Sequence, residues 1–471
     1  MLRSFLRRRS FYIAFLFAAV ILTSAFQAFE LANVGNAAPV DQFVNFESAH
    51  VHPLDFTPDS TKLLAVNTAN NSLEVFAVQD DILLHEASIP VGIDPVTVRA
   101  RTNTEVWVVN VISDEISIVD LSLGAVVRSL VTEDEPSDVV FAGSPQRAFV
   151  SCAHRESIQI FDLGDLSAAP TEVLLIGEQP RAMAVSPDGT KVYTAFFESG
   201  NGTTVVPGSP FLAAGICSEQ SSGGACTSVP NDVTLPVGPY GGVVPVPNNG
   251  AGFQPPLNPA LPPVGAQSLV VRKTSGGQWL DDNGGNWTNI VSGGAGGNRA
   301  AGWDMPDRDV AVLDANTLSL SYQHSLGNIL MAMAVNPVSG VVSVVGTDAT
   351  NEIRFEPNLN GRFLRVNVSQ FTAGGGNTIT DMNPHLDYLS ESVPPALRQQ
   401  SIGDPRGIAW TSDGSVAYVT GMGSNNVIRI GANGVRLGGS PIRVGQGPTG
   451  ILLDEARDRA YVLNKFDGTI S

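Results

Sequence analysis

For a chain of 471 residues the sequence carries little charge and almost no cysteine: 15% of its residues are Asp, Glu, Lys or Arg, and three are Cys. So few cysteines exclude a small scaffold knit by disulfides. Basic residues are outnumbered, 27 Lys plus Arg against 45 Asp plus Glu, for a net charge of −18. Such a surface repels a phosphate backbone, so no nucleic-acid partner is expected. Also missing are a Cys-x-x-Cys-His haem attachment, a Gly-x-Ser-x-Gly elbow, a His-Glu-x-x-His helix and a P-loop. These absences argue against covalent haem within these residues, a conventional nucleophile triad and an NTPase. Beyond the first forty residues no run is apolar and long enough to cross a bilayer, and no stretch keeps a sustained helical period.

What is present begins with an N-terminal signal. Arg3, Arg7, Arg8 and Arg9 precede an apolar run from Phe11 to Ala28, and small residues follow through Ala37 and Ala38. A basic start, an apolar middle and a small-residue exit read as an export signal over 1–38. Arg8-Arg9-Ser10-Phe11-Tyr12 also fits a twin-arginine pattern. Cleavage between Ala25 and Ala38 gives a periplasmic or extracellular protein. Retention of the segment as an anchor is the one route to a membrane. Export also permits Cys217 and Cys226 to form a disulfide, while Cys152, inside an apolar strand pattern, reads as a buried and inert thiol.

The remainder, 39–471, repeats itself. PRAMAVSPDGTKVYTAFFES starts at Pro180, PRGIAWTSDGSVAYVTGMGS at Pro405, PTGILLDEARDRAYVLNKFD at Pro448 and PSDVVFAGSPQRAFVSCAHR at Pro136. Shorter versions start at Pro95 and Pro53, and LMAMAVNPVSGVVSVVGTDA starts at Leu330. Each unit alternates apolar and polar residues through short β-branched runs separated by turns such as Ser-Pro-Asp-Gly, which is the pattern of strands and hairpins. Starts about 42 residues apart, with four strands per unit, indicate an all-β, seven-bladed β-propeller of four-stranded blades. A blade has two apolar faces and buries both only between neighbours, so the repeats must form a ring. The seventh repeat stops in its third strand at Ser471, so a truncated last blade is expected, and with it a ring that is open unless residues near Gln42 to Ala49 supply the missing strand.

Two spacings exceed the period. Pro180 to Leu330 is about 107 residues too long, and Leu330 to Pro405 about 32. The first excess, about 200–306, falls between the second and third strands of blade four. The second, about 371–403, is placed after a fourth strand at Arg365–Gln370 of blade five, whose third strand is read as EIRFE at 352–356. Successive strands of a blade run antiparallel, so both insertions are expected over one face of the ring. Long loops on a rigid scaffold carry function disproportionately.

Candidate ligand-binding residues on that rim are His50, His52, His154, Arg181, Asp307, His385 and Arg406. Imidazoles on one face suit a transition metal or a haem edge, but nothing in the sequence fixes their mutual distance, and independent surface histidines fit equally. Arg181 and Arg406 each follow the residue that opens an inner strand, where a guanidinium can grip a carboxylate or phosphate. Asp281, Asp282, Asn283 and Asn286 offer hard oxygens on a tight turn, a candidate Ca²⁺ site, although such runs also make ordinary turns. No other cofactor is expected within these residues.

VYTAFFESGN, AYVTGMGSNNVIRI and AYVLNKFDGTIS resemble the YVTN-type propeller repeats of exported and surface proteins. HVHPLDFTPDSTKLLAVNTANNSLEVFAV, PDRDVAVLDANT, NEIRFEPNLNGRFLRVN and NPHLDY are similar to a narrower group, exported propellers whose chains continue into a c-type haem domain of the di-haem peroxidase and MauG class. That resemblance implies haem c and electron transfer beyond Ser471, with a redox domain or protein partner on the insertion face. The expected function is an exported binding or docking scaffold. A metal-assisted, lactonase-like propeller hydrolase is the alternative, and it requires His154, Arg181, Arg406 or Asp307 to converge at the channel mouth. A surface or adhesion repeat without a small-molecule site is the third reading.

Overall fold

The computed structural model describes residues 48–79, 82–206, 236–243, 269–274, 276–281, 283–291, 307–349, 364–387 and 393–471. The N-terminal signal, Cys217, Cys226 and Asp282 lie outside the described residues.

Apolar–polar alternation becomes strands wherever the repeat places it. Seven antiparallel blades follow one another along the chain, each beginning with an inner strand, and blades four and five are joined into one eight-stranded sheet where Glu198 pairs with Ile329. These inner strands are Leu54–Phe56, Pro95–Ala100, Pro136–Ala142, Glu178–Val185, Ile329–Val335, Pro405–Trp410 and Pro448–Asp454. The second strands, such as Glu105–Asn110 and Arg147–Cys152, are buried almost end to end, because both faces of a blade's middle meet a neighbour. Fourth strands, such as Leu83–Pro90 and Ala125–Val131, are largely exposed. The turn between first and second strands is stitched by its own carboxylate. Asp188 accepts hydrogen bonds from Ser186 and Thr190, and Asp413 repeats the arrangement with Thr411 and Ser415. Those bonds hold each acid down at about 2.

Packing shows that the ring is closed. One hydrophobic cluster lies between each successive pair of blades, seven in all around the ring. The cluster joining blade seven to blade one contains Leu54, Leu63, Ala65, Tyr461 and Leu463. The sequence-based expectation of an open ring is therefore corrected. Blade seven has three described strands, ending with Thr469–Ile470, yet its inner strand Pro448–Asp454 meets blade one directly. At that seam Gly450 is so close to Pro53 that a Cβ would approach the proline ring to 2.7 Å. Closure depends on the first and second strands, which carry the apolar contacts, and not on the outermost one.

A second correction concerns blade five. Arg365–Gln370 lies in the third strand, Leu364–Phe371, which pairs over eight residues with Val342–Ala349. The fourth strand is Asn377–Asp381, and 352–356 lies outside the described residues. The extra chain of blade five thus divides between its second-to-third connection and the connection to blade six. Both emerge on the same face as the insertion of blade four, since strand direction alternates within a blade. At the base of the blade-four insertion, the Asn201 side-chain amide donates to Asn328, Asp348 and the Ala349 carbonyl of blade five.

The described part of the large insertion has its own small core. Strands Thr203–Val206, Leu269–Lys273 and Trp279–Leu280 form a sheet. Val206, Val271, Trp287, Ile290 and Val291 pack on it, the last two from the short helix Thr288–Val291.

Candidate functional site

Each inner strand enters the ring through a tight connection. The residue before the proline that opens the repeat adopts a left-handed conformation in five blades, at Asp94, Glu135, Gln179, Asp404 and Gly447. This kink turns the chain from the outer edge down into the channel, and it places the next residues at the mouth on the insertion face. Arg181 and Arg406 occupy that position in blades four and six. They share one ring: the Phe197 centroid is 4.2 Å from the Arg181 guanidinium carbon and 5.6 Å from that of Arg406. Phe197 lies near the end of the second strand of blade four, Lys191–Glu198, just before the large insertion. Arg181 also donates to Gln179 (2.6 Å), and Arg406 to Asp404 (2.8 Å). Burial holds the Arg181 pKa below its ordinary value, with Glu135 opposing and Arg406 reinforcing the shift. Two cations against one aromatic ring, one of them held by Asp404, leave donors for an anionic group.

The other rim candidates do not join this pair. His154 is largely exposed and lies 3.7 Å from Asp134. The Asp307 carboxylate accepts from the Ser325 amide and hydroxyl, which ties blade four to the start of blade five. The His385 Nε2 sits 3.1 Å from both the Leu397 carbonyl and the Ser401 hydroxyl. Among the described residues no three His, Cys, Asp or Glu side chains group as a metal site.

Of the candidate calcium residues, Asp281 and Asn286 are bonded within the insertion's own fold. Asp281 accepts hydrogen bonds from Tyr240, the Asn283 and Gly285 amides and the Trp287 indole. Asn286 accepts from the Thr288 amide at the start of the short helix. Asp281 thus organises the turn and anchors the buried tryptophan.

His50 and His52 go to different places. His50 is buried, its two ring nitrogens 2.8 Å from the Thr449 hydroxyl and 2.7 Å from that of Thr68. It therefore links blade seven to blade one. Burial, then Lys465, lowers its pKa well below the ordinary value, so the ring is neutral. His52 enters the central channel, a cavity of about 400 Å³ lined by the inner strands of all seven blades. There its Nδ1 lies 2.7 Å from Asp138, which is fully buried and also accepts from the Met183 amide. Arg99 reaches both oxygens of Asp138 at 3.5 Å, and Asp55 lies on the same wall. Asp138's pKa is lowered because His52 and Arg99 outweigh its burial, and Asp55's is raised by burial against the opposing Arg99 charge.

Asp55, Arg99 and Asp138 are absent from the sequence-derived candidates. A signal for two of them exists: the third residue of the repeat is Asp in blades one and three, but Thr, Ala or Gly in the other five. Cys152 is buried, with its thiol pushed up to about 12 by desolvation, as an inert core cysteine requires.

No protein-family model matches the chain, and no curated protein sequence matches it. Solved structures do. A chain of the Kuenenia stuttgartiensis hydrazine synthase is 14% identical, with a TM-score of 0.55 over 91% of this chain and 97% of that one. The virginiamycin B lyase of Staphylococcus aureus is 9% identical, with a TM-score of 0.44 over 88% of this chain and 92% of that one. These neighbours are β-propellers, and at such identities the likeness shows the fold alone.

Proposed function

We propose that this propeller is an exported binding scaffold that docks its partner on the insertion face, around the channel mouth. The observation that carries the reading is the pair Arg181 and Arg406 on the single ring of Phe197, at the face where all the extra chain emerges. Convergent cations on an aromatic platform suit a carboxylate-bearing partner surface. The finer reading, supported by the resemblance to exported propellers fused to c-type haem domains, makes that partner a redox module, in the same polypeptide or separate. The lactonase-like alternative has less behind it: His154 faces Asp134 and Asp307 binds Ser325, and among the described residues no three such side chains group as a metal site.

The test is site-specific photo-crosslinking of the full chain in its host. A crosslinking side chain is placed at Phe197 or Tyr240 on the insertion side, and at Asp59 or Val338 in first-to-second turns on the opposite side. The expected outcome is one defined adduct from the insertion side alone, lost in Arg181→Ala/Arg406→Ala and carrying covalent haem by haem stain. Adducts distributed equally over both faces would remove the docking reading. A defined, haem-free adduct would remove only the redox refinement.

A further inference from the structure

We propose that the central channel is itself a binding site for a small monocarboxylate with a compact apolar body, independent of docking at the mouth. The cavity's volume, about 400 Å³, suits a molecule of this size. Its wall is divided. Blades one and two contribute His52, Asp55 and Arg99, whereas the other five contribute, apart from Thr449, mainly apolar residues such as Val139, Met183, Ala332, Ala334, Ile408 and Leu452.

The polar side has donors to spare and acceptors already used. Asp138 accepts from the Val139 and Met183 amides and holds Nδ1 of His52. Asp55 accepts from the Phe56 and Ala100 amides. Four backbone N–H groups thus satisfy the two carboxylates, which leaves them little to offer a cationic ligand. Arg99, by contrast, makes only the long contacts to Asp138, and its buried Nε has no partner among the described residues. Nε2 of His52 likewise has none, while its Nδ1 is fixed by Asp138. A guanidinium and an oriented imidazole facing an apolar wall call for an acceptor at one end of the ligand and hydrocarbon at the other. One negative charge is the limit, since a dianion would face Asp55 and Asp138 with one arginine to offset it.

Three isosteric probes decide the matter: benzoate, benzyl alcohol and benzylamine, titrated into the full chain by calorimetry with saturation-transfer NMR. Benzoate is expected to bind at about millimolar affinity or better, and benzylamine not at all. Arg99→Gln should weaken benzoate about tenfold or more, as loss of a charge-assisted hydrogen bond requires. Ala334→Met should abolish binding by filling the apolar side while leaving every charge in place. Far-UV circular dichroism confirms folding, and if Arg99→Gln does not fold, Ala334→Met carries the test. The proposal is overturned if no probe binds, if benzylamine binds more tightly than benzoate, or if folded variants bind benzoate as the native chain does.

Discussion

Asp309 has no exposed surface and sits immediately before the third strand of blade four, with the Leu326 amide donating to it at 2.7 Å. Burial pushes its pKa from 3.8 up to about 8. The folded protein therefore holds a proton that the unfolded chain releases above 3.8, so this residue's contribution is present in acid and lost as pH rises through about 8. The loss approaches about 1.4 kcal/mol per pH unit inside that window. Asp309→Asn keeps an acceptor for Leu326 and removes the titration. Urea unfolding at pH 5 and pH 8 should find the variant more stable than the native protein at pH 8, with the difference shrinking at pH 5. Buried acids of this kind are poorly legible in a sequence, because periodicity reports which face a residue occupies and not what its oxygens meet. Arg181 and Arg406 were found by position in the repeat; that they share Phe197 required coordinates. Asp138 was missed because a single polar residue in a short inner strand resembles ordinary alternation.

At the scale of elements, most strands could be read directly, since each had the same turn before and after it. Blade five could not. Its second-to-third connection is lengthened, so the spacing that identifies a third strand elsewhere assigned EIRFE, and the eight-residue pairing of Leu364–Phe371 with Val342–Ala349 decided otherwise. The insertion of blade four is Gly- and Asn-rich, a composition that leaves an irregular cap and a folded lid equally open, and in its described part Trp287 and Asp281 give it a core. The Asp281 carboxylate receives four hydrogen bonds, each to a charged acceptor and so of the order of 1.5–3 kcal/mol. Asp281→Ala should therefore loosen the insertion selectively. Limited proteolysis should cut within 200–306 at least about tenfold faster, while the urea midpoint of the ring changes little, because the seven interblade clusters lie elsewhere.

For the molecule as a whole, the seam between blades seven and one is where a ring can fail. His50 fastens it through Thr449 and Thr68 while remaining neutral. Its pKa is depressed from 6.5, so its contribution is full above that value and lost as pH falls toward the folded pKa, where protonation of the unfolded chain pulls the ring open. His50→Gln should flatten the decline in thermal midpoint between pH 7 and pH 5, while lowering the midpoint at pH 7 through the poorer fit of its amide to the two hydroxyls. A variant whose acid sensitivity equals that of the native protein would place the weakness elsewhere. Closure has a further consequence through the divided channel wall. Seven identical blades would present any small guest with seven equivalent poses, a degeneracy worth about 1.1 kcal/mol of orientational freedom. By concentrating its charged and imidazole side chains in two adjacent blades, the chain breaks its own rotational symmetry and gives the channel a compass direction. A guest would then be held in one azimuth, pointing the same end toward blades one and two each time it enters.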